Sequence, residues 1–253
     1  MIDCAAYVGS YPFRQLPHPD PDVLIRVLAR EGLGGAWVGW LPAPWQRDPL
    51  AANDALFAAL EPHRQTLQPA PVVRPDWPRW ERTLRDVIDR GARAIRAYPM
   101  HWGMGPHDAS MRRLALACGD AKIPLLLTVR FEDLRQRSPL DVAGDLTGPH
   151  LRALARAGEQ VRLVIAGAGR ELLEETHWGL TPDEQRRVHW DFAWIWGPPE
   201  DQFAHLLRTV GAERFVYGTH WPLRLTQNPR ANLDLLPAEL RDPPIVDAGS
   251  FAR

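Results

Sequence analysis

Lysine is almost missing from this chain: Lys122 is the only one among 30 Lys and Arg residues. It stands just before a strand-like run that begins at Pro124, at the amino end of that run. Sites in parallel barrels form at the opposite, carboxyl ends, so Schiff-base chemistry and a carbamylated-lysine metal bridge are disfavoured. Cysteine is equally scarce. Cys4 and Cys118 each lie inside an apolar stretch, no Cys-x-x-Cys pair occurs, and two buried free thiols fit a reducing cytoplasm. No apolar run approaches the ~20 residues that a bilayer span needs. The N-terminus has no basic segment followed by an apolar one, so no signal peptide is expected. Net charge is small as well, -1 with a pI of about 6.8. Without a basic run there is no electrostatic footprint for nucleic acid or an anionic membrane. Repeats, low-complexity segments and linkers are absent too, which points to a single domain over residues 1–253.

What the chain does have is 253 residues, 45% of them hydrophobic, enough for one large core of the size typical of an eight-fold α/β barrel. Short β-rich runs at 2–8, 36–41, 67–73, 92–98, 124–129, 161–166, 188–193 and 215–217 alternate with amphipathic segments at 22–31, 53–60, 80–89, 111–118, 150–157, 171–175, 201–210 and 232–240. That alternation predicts βα units and a (β/α)8 TIM barrel, with room for distortion. Residues after Arg241 read as a surface extension. In the first run, period-two alternation puts Asp3, Ala5 and Tyr7 on the face that looks into the barrel and Cys4 on the outer face.

The segments after the first, second, fourth and fifth strands are long and carry Trp, His, Arg and acidic residues, as loops that set specificity do. Many of the 11 Trp residues fall there and in 190–196, where a packing lid is the commoner role. There is no Gly-x-Ser-x-Gly elbow and no phosphate-cradling glycine loop after a strand. Gly167-Ala168-Gly169 lies only near where barrel phosphate sites form. None of the nine histidines makes a His-x-His or His-x-x-x-His pair. His101 and His220 alone closely follow strand ends. A metal site built from these two with Glu132 or Asp133 has no supporting ligand spacing.

With these residues in view the chain resembles the amidohydrolase-related family of TIM-barrel hydrolases. That family's first strand reads Asp-x-His-x-His, and its two histidines bind metal; here Asp3 matches, while the ligand positions hold Ala5 and Tyr7. Arg96-Ala97-Tyr98-Pro99 matches the turn after the family's fourth strand. The fifth- and sixth-strand ligand positions hold Thr128 and Gly167. Tyr217-Gly218-Thr219-His220-Trp221-Pro222 keeps the closing frame with His220 in place of the metal-binding Asp. Pro12-Phe13-Arg14 and Arg130-Phe131-Glu132-Asp133 resemble a divergent branch of the family. The resemblance implies a barrel with a pocket at its carboxyl ends, without the metal ligands, and no cofactor is expected. Family precedent for hydrolysis without metal comes from the lactonases of pyrone dicarboxylates.

The groups left at those ends define the expected site. His220 is the acid–base candidate, since imidazole titrates near working pH; its other reading is a satisfied histidine that closes the barrel. Asp3 would orient His220 or neutralise an arginine. Tyr7 and Tyr98 would polarise a carbonyl or fill space. Arg96 and Arg130, with Arg14 reaching over from the first loop, would clamp a carboxylate or pair with Asp3, Glu132 or Asp133; Tyr98, His101 and Glu132 complete the substrate-binding set. The first expectation is a metal-independent hydrolase acting on a small carboxylated lactone, ester or amide. The second is a catalytically silent barrel that binds a small anionic metabolite, and a decarboxylase ranks third. The partner is a small anionic molecule, with no nucleic acid or membrane, and homodimerisation is open.

Overall fold

The computed structural model describes residues 1–17 and 19–251. Along it run β1 (Ile2–Val8), α1 (Pro21–Arg30), β2 (Gly35–Trp40), α2 (Pro49–Leu60), β3 (Leu67–Pro69), α3 (Trp80–Asp89), β4 (Ile95–Ala97), α4 (Ala109–Asp120), β5 (Leu125–Thr128), α5 (Gly148–Ala155), β6 (Leu163–Ala166), α6 (Arg170–Trp178), the short α7 (Pro182–Gln185), β7 (Val188–Trp190), α8 (Gln202–Thr209) and α9 (Gln227–Asp234). Helix starts follow capping chemistry. The Asp20 carboxylate accepts from the Val23 amide at 3.0 Å with Pro21 at the first position, and Asp108 accepts from the Ser110 and Met111 amides. Asp48 and Pro49 likewise open α2 several residues before the apolar periodicity becomes visible.

Every strand pair is parallel. β1–β2–β3 and β4–β5–β6–β7 form two ladders, and single bridges close them into a ring. Val72 pairs with Arg96 between the third and fourth positions, Trp190 pairs with Phe215, and the Cys4 amide donates to the Tyr217 carbonyl at 2.8 Å. Pro69 and Pro71 lack amide hydrogens, so the ladder fails beyond β3. The Asn53 side chain of α2 stands in, bonding both the N–H and the C=O of Val72 at 2.9 and 2.8 Å. Segment 215–217, expected as the eighth strand, joins the ring through these isolated bridges. The architecture is a (β/α)8 barrel, seamed on either side of β4–β7. Among the described residues no helix is long and apolar enough to cross a membrane.

The register corrects the face assignment at the first strand. Asp3 pairs with Ala36 and Ala6 with Val38, so β1 spends three steps where β2 spends two. This bulge inserts one residue and turns the residues before it by half a period. Cys4 therefore packs inside the barrel with Ala5, Trp37, Leu126, Val164 and Val216, not outward. Asp3 lies on the side of Ala36, which packs against Leu24 and Leu56 of the outer helices. Beyond the bulge the expected alternation holds: Ala6 and Val8 face the helices, and Tyr7 faces in.

The C-terminal segment is also not a surface extension. Val246 bridges Val216, and Asp247 accepts from the Ile2 amide at 3.0 Å. Phe251, 8% exposed, stoppers the amino end of the barrel beneath Trp37, with its ring 4.6 Å from that of His189. The ninth helix ends at Asp234 because Pro237 cannot continue it, so it is shifted toward the N-terminus relative to the expected 232–240.

Two outcomes follow. Phe251→Ala leaves a cavity under the barrel and is expected to cost about 3 kcal/mol in urea unfolding; a loss below 0.5 kcal/mol would mean that the plug is not part of the core. Burial, aided by Arg214 and Arg162, lowers the His189 imidazole to about 3. The unfolded chain takes up that proton near pH 6.5, so folded stability is full above 6.5 and is lost as the pH falls toward 3, by up to ~1.4 kcal/mol per unit. His189→Asn should flatten the dependence of the urea midpoint between pH 6.5 and 4.

Candidate functional site

At the carboxyl ends of the strands the inward faces bring together Tyr7 from β1, Arg96 from β4 and Tyr98 just after it, Thr128 from β5, Asp191 just after β7 and His220 after the eighth segment, all buried. The positions that the family resemblance marks for metal ligands do converge here, but they carry other chemistry. The Tyr7 and Thr128 hydroxyls bond each other at 2.8 Å. Gly167, at φ +82°, lies so close to His220 that a Cβ there would stand 3.0 Å from its Cε1. Burial raises the Tyr7 phenol above its usual range, so it stays protonated.

His220 is held by Asp191. Its Nε2 lies 2.8 Å from Asp191 Oδ2, and neither residue has any exposed surface. Asp191 Oδ1 accepts from the Gly167 amide at 3.0 Å. With the carboxylate accepting at Nε2, the tautomer that fits the bond has its hydrogen there and a lone pair on Nδ1, and among the described residues Nδ1 has no hydrogen-bond partner. His220 also sits at φ +57°, a left-handed conformation that costs a non-glycine residue roughly 1–3 kcal/mol. The turn that fixes it includes the Leu223 amide donating to the His220 carbonyl at 2.9 Å and the Tyr7 amide donating to the Trp221 carbonyl at 2.8 Å.

Asp3 does not orient His220. Its carboxylate accepts from the Thr219 hydroxyl at 2.5 Å and from the Thr219 and Ala5 amides at 3.1 and 2.9 Å. It pins the first strand to the end of the eighth segment, and burial raises its pKa. The orienting acid is Asp191, which the sequence reading passed over. Its signal was there: a lone carboxylate within the apolar run Val188-His189-Trp190-Asp191-Phe192-Ala193, on the inward face.

The arginines do not form one clamp. Arg14 Nε meets Glu132 Oε1 at 2.6 Å, and the Tyr11 hydroxyl donates to Glu132 Oε2 at 3.0 Å. Arg130 pairs with Asp145 at 2.9 Å, and Arg137 shares that carboxylate. Of these arginines Arg96 differs, since among the described residues no carboxylate pairs with it. Its guanidinium lies 4.2 Å from the centre of the Tyr7 ring and donates once, to the Ala6 carbonyl at 3.2 Å, leaving Nε and Nη1 unpartnered. Room for it comes from Gly39, where a Cβ would stand 2.6 Å from Arg96 Nε. The Tyr98 hydroxyl lies beside the Arg96 guanidinium and the Tyr7 hydroxyl, and burial keeps it protonated. Above these groups Phe131 packs on Tyr7, Tyr98, Trp45 and His101 as an aromatic cover. His101 belongs to that cover: its Nε2 is 3.6 Å from Asp141, and burial lowers its pKa to about 4, so it is neutral.

Tyr7 and Thr128 are bonded to each other, His220 to Asp191, and Asp3 to Thr219. Among the described residues no group of three or more His, Cys, Asp or Glu side chains is placed to share an ion.

No family model matches this sequence, and no curated protein matches it. Solved structures do share its fold. A 2,6-dihydroxybenzoate decarboxylase from Rhizobium superposes with a TM-score of 0.68 at 14% identity, over 92% of this chain and 91% of that one. A dihydroxybenzoic acid decarboxylase from Polaromonas sp. JS666, with bound manganese and the inhibitor 2-nitroresorcinol, gives 0.65 at 13%, over 92% and 90%. A probable 2-pyrone-4,6-dicarboxylic acid hydrolase from Acinetobacter baumannii, with citric acid bound, gives 0.60 at 13%, over 88% and 84%. At these identities the likeness establishes the TIM-barrel fold and nothing finer.

The His220 tautomer is directly measurable. In ¹⁵N spectra of the imidazoles, Nε2 of His220 should be protonated and Nδ1 bare. Asp191→Asn should redistribute the proton between the two nitrogens, whereas Asp3→Asn should leave it in place.

Proposed function

We propose that this protein is a hydrolase that opens a lactone, ester or amide of a small carboxylated substrate without a metal ion. The observation that carries the reading is a buried Asp191–His220 pair with Nδ1 free, set in the same barrel mouth as a guanidinium that no carboxylate answers. A buried charge without a counter-ion is costly, and a substrate carboxylate against Arg96 Nε and Nη1 would supply the missing charge through charge-assisted hydrogen bonds.

In the proposed reaction His220 Nδ1 takes a proton from water as the water oxygen bonds to the carbonyl carbon. The carbonyl π pair moves to its oxygen, and the Tyr98 hydroxyl donates to the resulting oxyanion. Asp191 stabilises the imidazolium through Nε2–H. Collapse of the tetrahedral intermediate breaks the C–O or C–N bond, and the leaving group takes the proton back from Nδ1. Arg14, Glu132, Arg130 and His101 fasten the cover over this chamber. Since His220 and Asp191 are fully buried, the cover of Phe131 and Trp45 must part for substrate to enter.

That same burial favours a second reading, in which the barrel binds an anionic metabolite and never turns it over. A screen of carboxylated lactones, esters and amides separates the two. Under the first reading a compound that raises the melting temperature is also consumed, with turnover unchanged by chelators. His220→Asn should then lower kcat by at least about 100-fold in protein that circular dichroism shows to be folded. A stabilising ligand that stays intact over long incubation, or a His220→Asn variant with wild-type turnover, would leave only the binding protein.

A further inference from the structure

Three hydroxyls meet inside the barrel mouth, and the proposed reaction uses only one of them. Thr128 ends β5, Tyr7 stands near the end of β1, and Tyr98 follows β4. The Thr128 and Tyr7 hydroxyls bond each other at 2.8 Å, and either one could be the donor. The Tyr98 hydroxyl lies beside that of Tyr7, with the Arg96 guanidinium next to both. All four side chains are buried, none more than 5% exposed. Phe131 packs on both phenol rings, its centre 5.7 Å from that of Tyr7 and 5.6 Å from that of Tyr98. Thr128 is β-branched and held in the ladder opposite Ala166, so its oxygen has little freedom to turn away.

The supply of donors decides which way such a row points. Each hydroxyl has one hydrogen to give, and burial keeps both phenols protonated. Among the described residues Tyr7 is the only hydrogen-bond partner of the Thr128 hydroxyl. If Tyr98 donated to Tyr7 and Tyr7 to Thr128, the Thr128 hydrogen would be buried with no acceptor, and no ligand at Tyr98 could relieve it. In the opposite direction Thr128 donates to Tyr7 and Tyr7 to Tyr98, and the one hydrogen left over is that of Tyr98. Arg96 favours this direction, since a guanidinium only donates and so draws the phenol lone pairs, not the hydrogens, toward itself. A hydroxyl that already accepts is also a stronger donor, because hydrogen bonds in a chain polarise one another.

We propose that Thr128 and Tyr7 are positioning residues that act through Tyr98: each hydroxyl donates to the next, so that the Tyr98 hydrogen is turned outward for an oxyanion of the ligand. This rests on the proposed function, in which Tyr98 meets the oxyanion, but its test needs no turnover. The full-length protein has four tyrosines, so ¹³C at their ζ carbons gives a spectrum simple enough to assign by Tyr→Phe substitutions. Thr128→Val removes the first donor and keeps the shape. It should shift both the Tyr7 and the Tyr98 signals while those of Tyr11 and Tyr217 stay in place, and Thr128→Ser should return both. A shift confined to Tyr7 overturns the row. The wild type is read without any substitution. Its slowly exchanging Tyr7 hydroxyl proton should show a nuclear Overhauser contact to the Tyr98 ring and none to the Thr128 methyl group, and the reverse pattern overturns the inference. On a substrate found in the screen, Thr128→Val should lower kcat by roughly three- to tenfold with little change in KM. In a Tyr98→Phe background it should add nothing further. An equal loss in both backgrounds overturns the role of Tyr98 as intermediary and leaves the hydrolase reading standing. A protein that shows the Tyr98 shift but hydrolyses nothing keeps the row and loses the hydrolase.

Discussion

The hydrogen bond between Asp191 and His220 sets the character of the barrel mouth. Both groups are fully withdrawn from water, where an isolated carboxylate would be severely destabilised. Each is tolerable because the other is there and because the Gly167 amide takes the remaining carboxylate oxygen. The bond also decides which nitrogen carries the proton, so a structural necessity and a chemical capability come from one contact. The left-handed backbone at His220 and the close approach of Gly167 are local costs accepted to bring the ring to that carboxylate.

Around this pair the protein arranges cations on aromatic faces instead of against acids. Arg14, Arg130, Arg137 and Arg135 all have carboxylate partners, and they tie the loops together. Among the described residues Arg96 has none. A guanidinium on a ring face is partly stabilised and weakly hydrated, yet it keeps its donors available. The outer arginines therefore organise the cover, and Arg96 keeps unspent hydrogen-bonding capacity. Gly39 is the silent half of that arrangement, since any side chain there would occupy the volume of the Arg96 guanidinium.

Much of the frame could be read in the sequence because period-two alternation and apolar runs report directly on burial. Arg96 and Tyr98 on one face of the fourth strand, Thr128 inward on the fifth and His220 at the closing turn follow from that pattern alone. Asp3 and Cys4 were misassigned because a bulge is a count of residues between partners, and no composition signal in Asp3-Cys4-Ala5-Ala6 announces it. The C-terminal plug was misjudged because Val246 and Phe251 are single apolar residues without periodicity; only the three-dimensional gap under Trp37 explains them. Asp191 was legible as a lone acid in an apolar run.

The bond network at Asp3 has a consequence for how the chain reaches this shape. Asp3 fastens to Thr219, and Cys4 to Tyr217, across more than two hundred residues of sequence. Those contacts cannot form until nearly the whole polypeptide is available, so during synthesis β1 can pair with β2 while its other edge waits. Loop closure over such a distance is slow compared with assembly of neighbouring βα units. The exposed edge of an apolar first strand is thus the segment most in need of shielding on the ribosome, and the carboxylate drawn outward by the bulge locks the ring as its last stave arrives.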